Sequence, residues 1–191
     1  MNIAAQLPAL QIVVPLMVAP MVLLLRGGGL AWAASTAASA MSFAIAVSLS
    51  ISAMAGDTIS YAMGGWPPPF GIELTLGPFN SLLLLLTTGA STLALLGARS
   101  SIAALMSPSR EPLFYAAWLV TLTGLCGIAI TGDAFNVFVF MEISSLATYV
   151  LIAAGPDRRA LTAAFKYLIM GTVGATFYLI GVGMVYMMTG T

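Results

Sequence analysis

Six uninterrupted apolar stretches dominate the sequence, and each is long enough to cross a lipid bilayer. About 20 residues in helical conformation span the roughly 30 Å of hydrocarbon. Hydrophobic residues make up 60% of the 191-residue chain and charged residues only 6%. Because so few charges cannot cover a water-exposed surface, this composition excludes a soluble enzyme, a nucleic-acid-binding protein and a disordered tail. The sequence therefore predicts a protein embedded in a membrane.

The apolar stretches predict helices, because they show no alternation of polar and apolar residues of the kind that marks a transmembrane barrel. We expect an all-α, polytopic membrane protein whose residues 1–191 form a single membrane domain. Three prolines in the first stretch, with no basic residue before it, argue against a cleaved signal peptide. The predicted spans are 9–25, 30–54, 79–98, 113–131, 134–154 and 160–187.

The arginines predict the orientation of these spans. Basic residues near span ends are retained on the cytoplasmic side of the membrane. All the arginines fall in alternate connections, while the remaining connections carry acids and no basic residue. This partition requires an even number of spans, and it places both termini on the non-cytoplasmic side of the inner (plasma) membrane. The arginines are Arg26, Arg99, Arg110, Arg158 and Arg159, and the acids are Asp57, Glu73 and Asp133.

Residues 55–78 form the one long connection. Three consecutive prolines, Pro67 to Pro69, forbid a helix there, and the glycines on either side permit tight turns. We expect a folded external loop, with a hairpin as one form of it. Trp66 is interpreted as an anchor at the membrane interface rather than as part of a ligand site.

Small residues recur at every fourth position of the second span, which predicts close packing of that helix against a neighbour. The sixth span carries a similar set of glycines and alanines. Asp133 and Asp157 are expected to cap the helices that follow them. The repeated residues of the second span are Ala34, Ala38, Ser42, Ala46 and Ser50.

Two ionisable residues lie inside spans, Glu142 in the fifth and Lys166 in the sixth. Such residues are costly in hydrocarbon, so they usually face other helices or water and mark an ion path. From the short turn that joins the two spans, Glu142 is expected near mid-membrane and Lys166 in the cytoplasmic half. Burial disfavours both charged forms and a nearby opposite charge favours them, so making or breaking their contact moves a proton. A direct pair and a water-bridged pair both fit the spacing.

Ser145 and Tyr149 lie on the same helical face as Glu142, and we expect them to order water towards the cytoplasm. The competing interpretation is a static ion pair that only fixes the helix register. No catalytic residues are predicted, since the sequence contains no phosphate-binding loop and no nucleophile elbow. No metal or cofactor site is predicted either, because the chain has no His and a single cysteine, Cys126.

The segment from Gly132 to Leu151, GDAFNVFVFMEISSLATYVL, resembles the antiporter-like subunits shared by Mrp-type multisubunit sodium/proton antiporters and the membrane arm of NADH–quinone oxidoreductase. The segment AAFKYLIMG at 163–171 and the loop WPPPFG at 66–71 are most similar to the Mrp D-type subunit. The resemblance implies that Glu142 is the mid-membrane acid of a proton path and that Lys166 belongs to the same chain of polar residues. It also implies a longer bundle with inverted repeats and broken helices.

The sequence departs from that family by stopping at Thr191, before the helices that carry further lysines of the path. Three hypotheses follow. The chain is the amino-terminal part of an Mrp D-type subunit, or a subunit of a redox-driven proton pump, or a shortened structural subunit that conducts nothing. The implied partners are other membrane subunits, the lipid bilayer, protons and, for an antiporter, Na⁺. Nucleic acid is not an expected partner.

Overall fold

The computed structural model describes residues 6–25, 27–56, 58–66 and 71–190. Six helices in these residues are long and apolar enough to cross a membrane, as predicted for an all-α polytopic protein. A two-stranded hairpin lies between the second and third helices. The helices are α1 (Leu7–Leu24), α2 (Gly28–Met54), α3 (Pro78–Leu105), α4 (Glu111–Ile130), α5 (Ala134–Ala153) and α6 (Arg158–Thr189), and the strands are β1 (Ile59–Ala62) and β2 (Glu73–Leu76).

The hairpin occupies the long connection. Strands β1 and β2 pair antiparallel, with Ile59 opposite Leu76 and Ala62 opposite Glu73. Leu74 and Leu76 are fully buried against the ends of the helices, so one face of the hairpin covers the bundle. Trp66 is exposed. Arg26, Asp57 and the segment from Pro67 to Phe70 lie outside the described residues.

Helices α5 and α6 begin at the predicted caps. The Asp133 carboxylate accepts hydrogen bonds from the amides of Phe135 and Asn136, at 3.3 and 3.0 Å. The Asp157 carboxylate accepts one from the amide of Arg159 at 2.9 Å. Each carboxylate satisfies amides that have no partner within the helix, which fixes the start of the span. Both capping predictions are confirmed.

Helix α3 continues to Leu105, beyond the predicted end of its span at residue 98. Just before the extension, the indole Nε1 of Trp32 in α2 donates to the carbonyl of Leu95 at 2.7 Å. The Arg99 guanidinium lies 4.3 Å from the centroid of the same ring. Arg99 is therefore part of a helix rather than of a connection, because the cation–π contact and continued hydrogen bonding outweigh the loss of apolar character.

Helices α1 to α4 pack together, and α5 and α6 extend the bundle from one side. The close approach of α4 and α5 depends on a glycine. A methyl group added to Gly124 of α4 would lie 2.7 Å from the backbone oxygen of Phe140 and the backbone nitrogen of Ser144 in α5. The far side of α6 has no neighbour among the described residues, since nearly all of its apolar side chains are exposed.

Candidate functional site

The α5–α6 interface carries three of the four polar residues singled out from the sequence. Helix α5 lies between α4 and α6, with Phe140 and Ser144 towards α4. At about 100° per residue, Glu142, Ser145 and Tyr149 occupy the opposite face of the helix, which is turned to α6. The position of Tyr149 fixes that orientation. Its hydroxyl lies against Gly171 of α6, where a side chain would overlap it.

Tyr149 is the most firmly packed of these side chains. It is only 9% exposed. Its ring packs edge-on against Tyr167 of α6, with 5.3 Å between the centroids. Ser145 lies within hydrogen-bonding reach of its hydroxyl, and Glu142 is close enough to act on it electrostatically. The structure thus brings Glu142, Ser145 and Tyr149 together along one helical face.

Glu142 is half-buried and lies about 12 Å from the start of α5 at Ala134 by helical rise. A second contact defines which part of α6 faces it. The Tyr178 hydroxyl donates to the carbonyl of Ala134 at 3.1 Å, while Gly171 meets Tyr149 further along α5. Glu142 therefore lies opposite the α6 stretch between these two contacts. Gly174 and Ala175 occupy that stretch, and no atom lies within 4 Å of a methyl group added at Gly174.

Lys166 lies elsewhere. The α6 residues that face α5 are Ala164, Gly171 and Ala175, and Lys166 is about half a turn away from them around the helix. Its side chain is exposed. No ion pair joins Glu142 to Lys166. The direct contact that the sequence spacing permits is absent because Lys166 points away from α5 and lies about 12 Å along α6 from Gly174, which is opposite Glu142.

Sequence reasoning overlooked a third acid, Glu111. Its position next to Arg110, in a segment assigned to a connection, made it look like a loop charge. In the structure it begins α4 and is only 8% exposed. The carboxylate lies directly on Gly28 at the start of α2, where any side chain would overlap it. Glu111 thus helps to position α4. The sequence feature that could have indicated this contact is the lack of a side chain at Gly28.

The α5–α6 interface holds no arrangement for covalent chemistry within the part of the chain that the structure describes. Among the described residues, no group of three or more His, Cys, Asp or Glu side chains is close enough to hold a metal ion. Cys126, the sole cysteine, is buried in the apolar core, where Gln11 donates to its sulfur at 3.5 Å. The interface instead presents one carboxylate and two hydroxyls along one face of α5.

The fold is that of a polytopic helical membrane protein with an acid on the face between two of its helices. The family model described as "NADH:quinone oxidoreductase/Mrp antiporter, TM" matches residues 131–191. This segment includes all of α5 and α6. The chain therefore belongs to the family of antiporter-like membrane subunits, as its sequence motifs predicted.

Two curated relatives with differently named functions are similar to this chain. It is 43% identical to the N subunit of the NADH-quinone oxidoreductase of Desulforudis audaxviator, over 98% of this chain and 38% of that protein. It is 34% identical to the D-type subunit of the Na⁺/H⁺ antiporter of Bacillus subtilis, over 82% of this chain and 31% of that protein. The chain thus spans about a third of the length of these relatives.

Two solved structures share the fold over nearly the whole chain. A chain of an archaeal respiratory complex, the membrane-bound sulfane sulfur reductase, superimposes with a TM-score of 0.89 at 33% identity. The match covers 97% of this chain and 38% of that one. A chain of the Mrp complex from Dietzia sp. DQ12-45-1b gives a TM-score of 0.88 at 26% identity, over 100% of this chain and 36% of that one.

Proposed function

We propose that this chain contributes the first part of a proton path to a multisubunit cation/proton antiporter of the Mrp type, as a D-like subunit. The observation that carries the proposal is the placement of Glu142. A carboxyl group midway along a membrane helix is costly unless it faces polar groups or water. Here it faces the α5–α6 interface together with Ser145 and Tyr149, opposite small residues of α6.

In this mechanism a proton reaches Glu142 through water ordered by the hydroxyls of Ser145 and Tyr149. The carboxylate takes up the proton and becomes neutral, which removes the cost of a buried charge. It then returns the proton to the next polar group and regains its charge. Lys166, on the outer face of α6, acts as a separate step and exchanges its proton with groups that pack on that face.

The proposal places the chain in the plasma membrane, with other membrane subunits as its partners and protons and Na⁺ as the transported ions. We further propose that both termini lie on the non-cytoplasmic side, in accord with the alternation of the arginines. The described fold supports treating the chain as one membrane domain, because α1 to α6 form a continuous series of packed helices.

Glu142→Gln tests the proposal in the assembled complex. The amide keeps the size of the side chain but cannot carry the proton, so antiport driven by an imposed gradient should be lost while assembly is retained. Everted membrane vesicles with a fluorescent pH indicator measure the rate. Glu73→Gln, in the hairpin outside the membrane helices, is the control and should transport normally. Normal transport by Glu142→Gln would support the purely structural hypothesis instead.

A redox-driven proton pump is the second candidate, favoured by the 43% identity to the N subunit of an NADH-quinone oxidoreductase. The same helices would then serve proton movement coupled to electron transfer in partner subunits. Proton movement that starts on adding NADH and quinone, and not on imposing a sodium gradient, would establish this alternative. The opposite response would establish antiport.

A further inference from the structure

The short connection between α4 and α5 is attached to the hairpin. The backbone amide of Gly132 donates to the carbonyl of Glu73 at 2.9 Å. Next to this bond, Thr131 pairs with Leu74 of β2 as an antiparallel bridge. Leu74 is fully buried, so β2 is itself held firmly in the bundle. The backbone that leads into α5 is therefore bonded to a buried strand.

A second attachment holds the same connection from the side of α3. The side-chain amide of Asn80 donates to the carbonyl of Ala129, in the last turn of α4, at 2.7 Å. The Asn80 side chain also accepts a hydrogen bond from the amide of Gly77 at 3.3 Å, which holds it in place. Together with the Asp133 cap, these contacts anchor the start of α5 at Ala134.

Tyr178 connects α6 to this anchored start of α5. Its hydroxyl donates to the carbonyl of Ala134 at 3.1 Å, although the two residues are 44 positions apart in the sequence. The carbonyl can accept this bond in addition to the one from its own helix, because its oxygen has two lone pairs. Among the described α6 residues after Ala175, only Tyr178 and Val182 are half-buried, and the others are exposed. Tyr178 thus supplies a directed contact where α6 is otherwise mostly exposed.

Glu142 lies between the Tyr178 contact and the contact of Tyr149 with α6. At the Tyr149 contact the helices pack closely, since a side chain at Gly171 would overlap the Tyr149 hydroxyl. Between the two contacts the packing is sparse, because a methyl group added at Gly174 would have no atom within 4 Å. The separation of two membrane helices is set by the contacts they make. Tyr149 and Tyr178 therefore set the separation of α5 and α6 at Glu142.

We propose that Tyr178 is a positioning residue for Glu142. It ties α6 to the start of α5, which the hairpin anchors, and so fixes the width of the interface that the carboxyl group faces. That width matters because the protonation of a carboxyl group depends on the solvation and the hydrogen bonds around it. Tyr178 acts through the helix spacing, and its phenol takes no part in the proton transfer. The inference rests on the proposed function, since it concerns the proton path through Glu142.

Tyr178→Phe tests the attachment, because it removes the hydroxyl and keeps the ring. Spin labels at Phe135→Cys in α5 and Ile180→Cys in α6 report the separation of the two helices in the assembled complex. Both positions are exposed, and the native Cys126 is buried. We expect the distance distribution of Tyr178→Phe to broaden towards longer distances. Tyr186→Phe makes the same change at an exposed tyrosine of α6 and should give the parent distribution. Identical distributions for Tyr178→Phe and the parent protein would overturn the proposal.

The pH profile of antiport tests whether this spacing acts on Glu142. A loss of folded complex lowers the rate by the same factor at every pH, whereas a changed interface alters the pH dependence itself. In Tyr178→Phe the pH of half-maximal rate should move by roughly half a unit, the equivalent of one interhelical hydrogen bond. Tyr186→Phe should keep the parent profile. A wider spacing with an unchanged profile would also overturn the proposal. Normal transport by Glu142→Gln would instead remove the proton path, without any change in the label distances, so the two failures are distinguishable.

Discussion

Position around a helix, together with depth in the membrane, distinguishes the two ionisable residues of the spans. Glu142 lies on the face of α5 that meets α6, with Ser145 and Tyr149 beside it. Lys166 lies on the face of α6 that points away from α5. The two residues therefore have different surroundings, although the sequence places them at depths that permit contact. Their substitutions should differ accordingly.

Lys166→Ala should slow transport less than Glu142→Gln does, because Lys166 is exposed and is not part of the group around Tyr149. Initial rates of antiport in vesicles, compared at equal content of the chain, measure the difference. Lys166→Arg retains the positive charge and should recover most of the rate. If Lys166→Ala transports at the rate of the parent protein across the whole pH range, Lys166 takes no part in the proton path.

The contact between α4 and α5 decides where the Glu142 face points. In lipid, helices associate through close packing rather than through the hydrophobic effect, so small residues at a crossing have large consequences. Gly124 lies against backbone atoms of Phe140 and Ser144, which cannot move without moving α5 itself. The glycine therefore fixes the rotation of α5 that turns Glu142 towards α6.

Gly124→Ala should destabilise the protein by about 1–3 kcal/mol, the usual cost of overpacking. Thermal unfolding of the purified protein in detergent measures the change. Gly97→Ala is the matched control, because no atom lies within 4 Å of the added methyl group in α3. It should leave stability unchanged or raise it by roughly 0.5–1 kcal/mol, since alanine favours a helix interior. Equal melting of both variants would contradict the role assigned to Gly124.

At the scale of the whole molecule, the charges and the fold together predict an orientation in the membrane. Six successive spans place the connections alternately on the two sides. The hairpin connection carries no basic residue, whereas the connection between α3 and α4 contains Arg110. Arg99, the other arginine that the sequence analysis assigned to this connection, lies within α3 near the same end. The positive-inside rule therefore predicts that the hairpin lies on the non-cytoplasmic side of the membrane.

Single-cysteine labelling of intact cells checks this orientation. Thr58→Cys, just before β1, should react with a membrane-impermeant thiol reagent, and Ser109→Cys, just before α4, should react only after permeabilisation. Both positions are exposed, while the native Cys126 is buried and serves as the unreactive background. Labelling of Ser109→Cys in intact cells, with Thr58→Cys protected, would show that the topology is the opposite of the predicted one.

The sequence by itself determined the class of protein, the number of membrane helices and the capped starts of α5 and α6. These features depend on the apolar content of each segment and on residues next to one another in the chain, so they can be predicted from short stretches of sequence. It also located Glu142 within a helix and showed that Ser145 and Tyr149 share its face, because helical periodicity is fixed by the backbone.

Only the tertiary structure decided how the helices are rotated and paired. The separation of Lys166 from Glu142 and the burial of Glu111 against Gly28 both depend on which faces meet. Apart from the Glu142 face of α5 and the small residues repeated along α2, nearly every position of these helices is apolar, so the sequence does not mark which face is turned to which neighbour. Close packing between small residues selects those faces, and that selection appears only when the helices are brought together.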